Sequence, residues 1–412
     1  MKTFVLEIVN KCIISLSFIT LLISCQYSQK YTKEFIYKDF NKFTPIENTV
    51  IRIDVSTAKS LSYRDFIDSF VDSICFLQLS SKELIGEITT LHIFEDRIFI
   101  LDQFVAKKVF IFNMKGDLIR VIDNQGGGPN EYLRLGGINI NTTSKELIIA
   151  DEGYPKFLYY SLDGDLIRET QAIPNVFFYP EMDNSFYNCV GYKQLKNETD
   201  QYHTLLFSRD TVVLNAGFTF YPIQQDAMVS NPFNKNTLDE LLYIPFLSDT
   251  VYHLLGNQSY QAKYVINQTK SLWDKKNEFL SSIEQSDLIL DKNYTTLGSQ
   301  FLENNDFCCF SISLASKGRV LSRPYYYNKK DRSTFYYDSE KTFNKTDPFK
   351  NRLYIIANPQ CVYKDYFVSS FNPTPVSNDS ALFNKYFLEI MNAADDNTNP
   401  VLVFYKFNNR YE

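Results

Sequence analysis

Three histidines, His92, His203 and His253, are all the imidazole this 412-residue chain has. None stands in the H-x-x-x-H or H-x-H spacing that turns two rings toward one metal ion, so zinc has no ligand set here. His253 falls in the strand-like run DTVYH and reads as a residue of a sheet. No G-x-S-x-G elbow presents a nucleophile. Sialidase-type boxes, S-x-D-x-G-x-T-W, are missing, and the sole tryptophan is Trp273. Cys308 and Cys309 are vicinal; on a strand their side chains point to opposite faces, which speaks against a shared redox or metal role. The acidic run DDNTN at 395–399 suggests calcium but lacks the EF-hand spacing and its glycine. The Gly-rich stretch NQGGGPNEY at 124–132 invites a phosphate cradle. It has no Walker lysine after it and no G-x-G-x-x-G opening a helix, so it reads as a sharp turn. Two carboxylates placed across a sugar would suffice for a glycosidase, and 48 acidic residues leave that open. The expectation is no catalytic residue, no metal and no cofactor, and a non-enzyme ahead of an enzyme.

The elements that would position any site are more legible. RIFILDQFVAKKVFIFNMKGDLIRVI starts at Arg97, and ELIIADEGYPKFLYYSLDGDLIRET starts at Glu146. Each copy has an apolar run ending in aspartate (Asp102, Asp151), a polar gap with lysine, a second apolar run, and then Gly-Asp-Leu-Ile-Arg. The two Gly-Asp steps lie 48 residues apart and the two aspartates 49. A repeat of that period indicates a propeller or a solenoid. The second apolar runs, 109–112 and 157–160, are apolar on both faces, as strands stacked between other sheets must be. The Gly-Asp steps are tight turns, because glycine tolerates positive φ. The stretch 124–132 then becomes a crossing between repeats, or else its backbone N–H groups and Glu131 line one mouth of a channel.

The chain begins with an address. Residues 12–24, CIISLSFITLLIS, form a run of 13 apolar or small residues. That is short of the ~20 needed to span a bilayer and suits a signal sequence. It ends Ser24-Cys25, which resembles the bacterial lipobox, so Cys25 is the expected lipidation site. Lipidation implies export to the cell envelope. Five cysteines then remain, an odd number, so at least one thiol is free; all but one of the vicinal pair sit in apolar or aromatic runs, where cysteine packs as a small hydrophobe. A formal charge of −6 argues against a general nucleic-acid binder. Aromatics at 16% favour strands.

The expected layout is a signal peptide at 1–24, a polar tether at 25–48 and one repeat domain at 49–412. Strands are expected at 50–55, 74–79 and 85–94, a short helix at 63–72, and a hairpin turn at Glu95-Asp96. Later strands fall at 185–192, 204–207, 212–220, 249–253, 263–266, 307–314, 323–327, 334–337, 353–356, 366–368 and 401–407. Helices are expected at 275–290 and 381–394. The last strand should close the ring by sharing a sheet with either 74–79 or 50–55, since an open edge would otherwise remain.

The stretches KKVFIFNMKGDLIRVIDNQGGGPNEY, LLYIPFLSDTVYHLLGNQSYQAKYVI (241–266) and NPVLVFYKF (399–407) resemble the six-bladed β-propeller lipoproteins common in Bacteroidetes, related in architecture to NHL-repeat propellers. The resemblance spans about residues 50–412. It implies an all-β fold of six four-stranded antiparallel blades with a few short helices in insertions, carried by an exported lipoprotein on the outer membrane. It brings no catalytic residues. The function expected is recognition of a glycan, peptide or envelope protein, with membrane contact through the lipid. A hydrolase or lyase with acidic channel residues, and a structural role in an envelope complex, are the alternatives.

Overall fold

Among the described residues six sheets account for the strands, and the core of each is a run of neighbours in sequence. The structure, a computed structural model, describes residues 40–408 apart from 63–64, 67–70, 155, 172–180, 183–184, 190–201, 209–211, 225–230, 256–258, 339–357 and 374–384. Cys25, the signal sequence, most of the tether and the strand expected at 353–356 lie outside the described residues.

The chain enters along the outside, through β1 (Asn41–Lys42), β2 (Thr44–Pro45), β3 (Ile51–Asp54), β4 (Lys59–Leu61) and β5 (Val71–Gln78). The first sheet follows as β6 (Thr90–Phe94), β7 (Arg97–Asp102), β8 (Lys108–Asn113) and β9 (Leu118–Ile122). The second is β10 (Leu135–Asn141), β11 (Glu146–Asp151), β12 (Lys156–Ser161) and β13 (Leu166–Gln171). The third is β14 (Glu181–Met182), β15 (Ser185–Cys189), β16 (Tyr202–Ser208) and β17 (Val213–Thr219). The fourth is β18 (Phe233–Lys235), β19 (Leu241–Tyr243), β20 (Thr250–Leu255) and β21 (Ser259–Asn267). The fifth is β22 (Thr296–Glu303), β23 (Phe307–Ser316), β24 (Arg319–Asn328) and β25 (Thr334–Tyr337). The sixth has β26 (Cys361–Tyr363), β27 (Tyr366–Phe371) and β28 (Val401–Phe407), completed by β5.

Within each sheet the successive strands are antiparallel, and first strands of neighbouring sheets touch: β26 with β6, β6 with β10, β10 with β14, β18 with β22, β22 with β26. Apolar clusters fill the junctions. Phe110 and Phe112 face the sixth sheet with Leu402 and Phe404, while Val109 and Ile111, on the other side of β8, face Leu147, Ile149 and Leu158 of the second. Further clusters lie between the third and fourth, fourth and fifth, and fifth and sixth sheets. Sheets stacked face to face around an axis, each buried on both sides, make this an all-β propeller arrangement with few helices.

The repeat is visible atom by atom. Asn113 N–H donates to the Asp117 carbonyl and Gly116 N–H to the Asn113 carbonyl; in the second copy Ser161 and Gly164 do the same toward Asp165 and Ser161. Gly116 and Gly164 have φ of 84° and 86°, the left-handed region that a Cβ disfavours. Asp102 and Asp151 are buried. Asp102 accepts from Gly86, Glu87 and Val105 N–H, and Asp151 from Leu133, Arg134, Gly153 and Tyr154 N–H. Each aspartate thus pins the crossing into its sheet to the turn between the sheet's second and third strands.

The structure corrects the strand count and the tether. Three sheets have more than four strands. β1 pairs parallel with β17, β2 and β3 with β21, and β4 with β25, so residues 41–61 run as a strap along the outer edges of the third, fourth and fifth sheets. Two strap strands, β1 and β2, fall inside 25–48. Phe43 anchors the strap against Gly217, Phe218 and Phe233, and Ile53 is fully buried between the fourth and fifth sheets. Ring closure goes to β5, which pairs antiparallel with β28 from Val401↔Gln78 to Phe407↔Val71; the alternative at 50–55 is overturned because β3 is committed to β21. The expected helix at 63–72 cannot reach Val71, where β5 begins, and the strand expected at 85–94 starts at Thr90. The two later helices are α1 (Ser282–Lys292), opened by a capping box of Ser281 and Glu284, and α2 (Lys385–Ala393).

Candidate functional site: the axial cavity

First strands of the propeller converge on a cavity of about 760 Å³, within the size range of ligand pockets. Its walls come from β6, β10, β18, β22 and β26 and the residues flanking them. These strands are the inner terminal strands of their sheets, so among the described residues one edge of each has no ladder partner. They diverge from an axis and do not pair with one another; side chains bridge them instead. Gln103 Nε2 donates to the Leu135 carbonyl at 2.9 Å. Asn234 Nδ2 donates to the Ser299 carbonyl at 2.9 Å while its Oδ1 accepts from Phe301 N–H at 3.1 Å. Gln300 Nε2 reaches the Gln360 carbonyl at 3.3 Å, and His92 Nε2 the Ile138 carbonyl at 3.3 Å. A carbonyl only accepts, so His92 carries its proton on Nε2, leaving Nδ1 as an acceptor. Burial, chiefly, pushes the His92 pKa down to about 4, so the ring is neutral at physiological pH. Apolar side chains such as Leu91, Ile93, Phe94 and Phe233 make up the larger part of the wall, and its uncharged polar groups are mainly amides and hydroxyls; Glu95 and Asp239 are its carboxylates and Lys235 and Lys364 its cations.

The two ends of the cavity differ. At the end formed by hairpins between first and second strands, polar links join one sheet to another. Lys145 pairs with Glu95 at 2.7 Å, and Tyr363 OH donates to the Glu95 carbonyl at 3.0 Å. Asn304 and Asn305 donate to the carbonyl and carboxylate of Asp365. Thr237 N–H donates to the Glu303 carbonyl. Thr142 Oγ1 donates to Asp239 Oδ2 at 2.7 Å, and Lys235 Nζ holds Asp239 Oδ1 at 3.0 Å, tying the second sheet directly to the fourth. At the opposite end lie the crossings between sheets and the turns between second and third strands. There Leu84, Phe104, Val105 and Leu133 are exposed, Phe104 at 65% and Val105 at 63%.

Behind the wall, between the fourth and fifth sheets, Glu303 is 3% exposed. Its Oε1 accepts from Tyr264 OH at 2.6 Å and Lys329 Nζ at 2.5 Å; its Oε2 accepts from Lys263 Nζ at 2.9 Å and Asn236 Nδ2 at 3.1 Å. Burial opposes the charge, but Lys329 and Lys263 outweigh it and hold Glu303 down at about 2. Lys263 also pairs with Glu240, beside which His253 lies at 3.8 Å. His253 does not line the cavity; burial lowers its pKa against the pull of Glu240.

Residues singled out from sequence fall mostly elsewhere. The crossing at 124–132 is structural: Gly126 N–H and Tyr132 N–H bond to Tyr132 and Asn124 carbonyls, and the buried Tyr132 plugs the junction with OH bonds to Lys107 and Ile122 carbonyls. Glu131 does not line the cavity; it accepts from Gly128 N–H in its own loop. The 395–399 run closes the ring. Asn399 Oδ1 accepts from Ile85 N–H, its Nδ2 donates to Ser80 and Glu83 carbonyls, its N–H reaches Ser81 Oγ, and its carbonyl accepts from Gln78 Nε2. Asp395 accepts from Asn397 N–H and Thr398 Oγ1 within the turn. Cys308 and Cys309 do face opposite ways, Cys308 into the fourth–fifth junction and Cys309 into the fifth–sixth; burial pushes Cys308 up to about 12. The His203 side chain lies outside the described set. The cavity amides Gln103, Asn234, Gln300 and Gln360 went unnoticed in sequence, because single polar residues in distant strands carry no local signal of convergence.

A family model for a domain of unknown function, DUF4934, matches residues 49–406. The chain belongs to this family. That span includes the strap strands β3 and β4 and strands of all six sheets, while β1 and β2 lie ahead of it. Among curated proteins nothing matches the chain. Of the solved structures, one from Bacteroides fragilis described as an exported protein matches at TM-score 0.68 and 15% identity, over 87% of this chain and 100% of that one. The extracellular domain of a hybrid two-component system of B. thetaiotaomicron matches at TM-score 0.34 and 10% identity, over 74% of this chain and 37% of that one. A streptogramin B lyase matches at TM-score 0.33 and 7% identity, over 63% and 86%. At these identities the first likeness speaks for the fold, and the other two carry no argument.

Proposed function

We propose that this DUF4934 protein is an exported recognition module that binds an uncharged polar ligand in the axial cavity of a six-bladed propeller, each of the six sheets being one blade. The observation that carries the reading is the polar part of the cavity wall: amides, hydroxyls and a neutral His92, contributed by several sheets and set among apolar side chains, with few charges. Such a wall suits a glycan or a peptide, or a segment of an envelope protein, better than a polyphosphate or nucleic acid, for which two lysines are few. Three or more clustered carboxylates, or a histidine–carboxylate pair in the cavity, would favour a hydrolase or lyase. The cavity has two carboxylates, Glu95 committed to Lys145 and Asp239 to Lys235 and Thr142, and the His253–Glu240 pair lies behind the wall. In the cell, lipid on Cys25 would hold the propeller to the envelope membrane.

The test is a glycan and peptide binding array on purified protein from Tyr27 onward, with mass spectrometry of the eluted ligands. Binding without product, weakened at least about tenfold by Asn139→Asp in the cavity wall, is the expected result. Turnover, or binding indifferent to Asn139→Asp, would overturn the reading.

A further inference from the structure

We infer that the outer edge of the second sheet is a docking site for residues 33–37 of this same chain, which continue the strap backwards and pair with β13. The inference concerns the tether and not the ligand, so it stands or falls apart from the cavity reading.

The strap follows a rule. Its segments on the third, fourth and fifth sheets read Asn41-Lys42-Phe43, Ile51-Arg52-Ile53 and Lys59-Ser60-Leu61. In each the middle residue is polar and the third is apolar and buried, Phe43 at 7%, Ile53 at 0% and Leu61 at 4%. Each third residue fills the junction between its own sheet and the next: Phe43 the third–fourth, Ile53 the fourth–fifth, Leu61 the fifth–sixth. All three segments run parallel to the outer strand they join, and the chain advances around the ring one sheet at a time, reaching the sixth with β5. The buried anchors are 10 and 8 residues apart. Phe35 stands eight residues before Phe43, and Lys33-Glu34-Phe35 repeats the polar–polar–apolar order of Asn41-Lys42-Phe43 and Lys59-Ser60-Leu61. Ile36 and Tyr37, which follow, suit a strand. One sheet back from the third is the second, whose outer strand is β13.

The β13 edge has the features of the edges that the strap covers. It ends its sheet among the described residues. Ile167 on it is 49% exposed, whereas β9, β17, β21 and β25 expose no large apolar side chain among the described residues. Ile167 is also the extra residue of a register shift, since Tyr159 pairs with Arg168 and Tyr160 with Leu166. The same shift recurs on β17 at Leu214 and on β21 at Lys263. There the strap pairs start on the next residue, Asn41 with Asn215 and Ile51 with Tyr264. The shift therefore marks where a strap segment begins and does not block one. On β13 the next residue is Arg168, which places Lys33 opposite Arg168 and Glu34 opposite Glu169. Arg168 has its charge matched by Glu146, and Glu169 has its own matched by Lys156, so neither pairing sets bare like charges together.

Docking covers an edge that would otherwise be open to other chains, and it shortens the tether. With lipid on Cys25, as proposed above, residues 26–32 become the free leash, about 25 Å fully extended, against about 50 Å for residues 26–40. The outer edge of the second sheet then faces the membrane.

The experiment uses the protein from Tyr27 onward and follows amide hydrogen exchange at 166–171, with β9 at 118–122 as the comparison edge. Phe35→Ser removes the anchor and Phe35→Leu keeps an apolar one; circular dichroism checks the fold of each. The expected result is β13 exchange about tenfold or more faster in Phe35→Ser than in the parent, near-parental exchange in Phe35→Leu, and no change on β9. A second measurement leaves the anchor in place: Glu34→Cys combined with Glu169→Cys, oxidised in air and mapped by mass spectrometry, should give a disulfide joining positions 34 and 169. Equal β13 exchange in the parent and Phe35→Ser, loss spread equally over β9 and β13, or no 34–169 disulfide would each overturn the inference.

Discussion

Among the described residues the first and second sheets stand without help from the strap, whereas the third, fourth and fifth each take at least one added strand from residues 41–61. The difference follows sequence regularity. The first two sheets carry the repeated Gly-Asp turn, the pinning aspartates and strands of five to seven residues. The fourth begins with two three-residue strands, and the third with one of two residues. Strap strands pair with the outer strands and place Phe43 in the third–fourth junction and Ile53 in the fourth–fifth. They also cover outer edges that would otherwise offer unpaired groups to other chains. On β9 and β13 that protection comes, among the described residues, from charge: Arg120 pairs with Asp165, and Glu169 accepts from Asn130 N–H. A propeller can therefore be stabilised sheet by sheet, through local repetition, or from outside, through a segment that runs across several sheets.

The largest effect should come from breaking the ring where the two strategies meet. Deletion of residues 399–412 removes β28 and the Asn399 bonds, and should unfold the whole domain. A soluble truncation product with a cooperative thermal transition would show that closure is dispensable.

Phe43→Ala should cost about 3–5 kcal/mol, the range for a buried phenylalanine. Hydrogen exchange should show β17 and β21 amides losing protection while β8 and β12 keep theirs; uniform loss would mean that the strap supports the entire ring. Glu303→Ala should cost a similar ~3–5 kcal/mol, because Lys263 and Lys329 would be left without their buried partner. Urea unfolding of the variant, against Glu303→Gln as the milder change, checks this.

Acid should separate the two regions. His92, between the first and second sheets, has a folded pKa near 4 against about 6.5 unfolded. As pH falls through 6.5 the unfolded chain takes up the proton first, so stability drops between about pH 6.5 and 4, by up to about 3 kcal/mol. Glu303, between the fourth and fifth sheets, is depressed to about 2, so its contribution is intact above about pH 4.5 and lost only below it. Exchange protection should fail first at the junction of sheets one and two, and His92→Gln should flatten the loss between pH 6.5 and 4. Equal loss at both junctions would contradict the assignment.

The smallest effects compare the twin turns. A Cβ on Gly116 would sit 2.2 Å from the Gln78 carbonyl oxygen, rigid backbone of the closing strand, and one on Gly164 would sit 2.6 Å from Cγ of the flexible Arg120. Gly116→Ala should cost about 2–3 kcal/mol and Gly164→Ala about 1 kcal/mol. Equal costs in urea would show that backbone conformation alone sets the value.

Much of the frame is legible in the sequence. The repeat pointed to a propeller, 109–112 was apolar on both faces because two junctions claim it, and the Gly-Asp steps required left-handed glycine. The candidate site was not legible. His92, Gln103, Asn234, Gln300 and Gln360 sit in or beside strands of four different sheets, separated by tens to hundreds of residues. Each looks like an ordinary polar residue until the ring brings the inner edges together. Glu303 likewise gave no sign of its burial, since its lysine partners come from β21 and from the turn after β24.

What the sequence alone determined is local: alternation, turn glycines, capping serines and a repeat period depend on neighbours within a few residues, and period and hydrophobicity report them directly. Tertiary structure decided which N-terminal strand closes the ring, that residues 41–61 strap three sheets, and that DDNTN ends in the Asn399 lock across the closure. Those outcomes depend on which edges remain unpaired after every sheet has formed, and the hydrogen bonds that satisfy them join residues as far apart as Ile85 and Asn399.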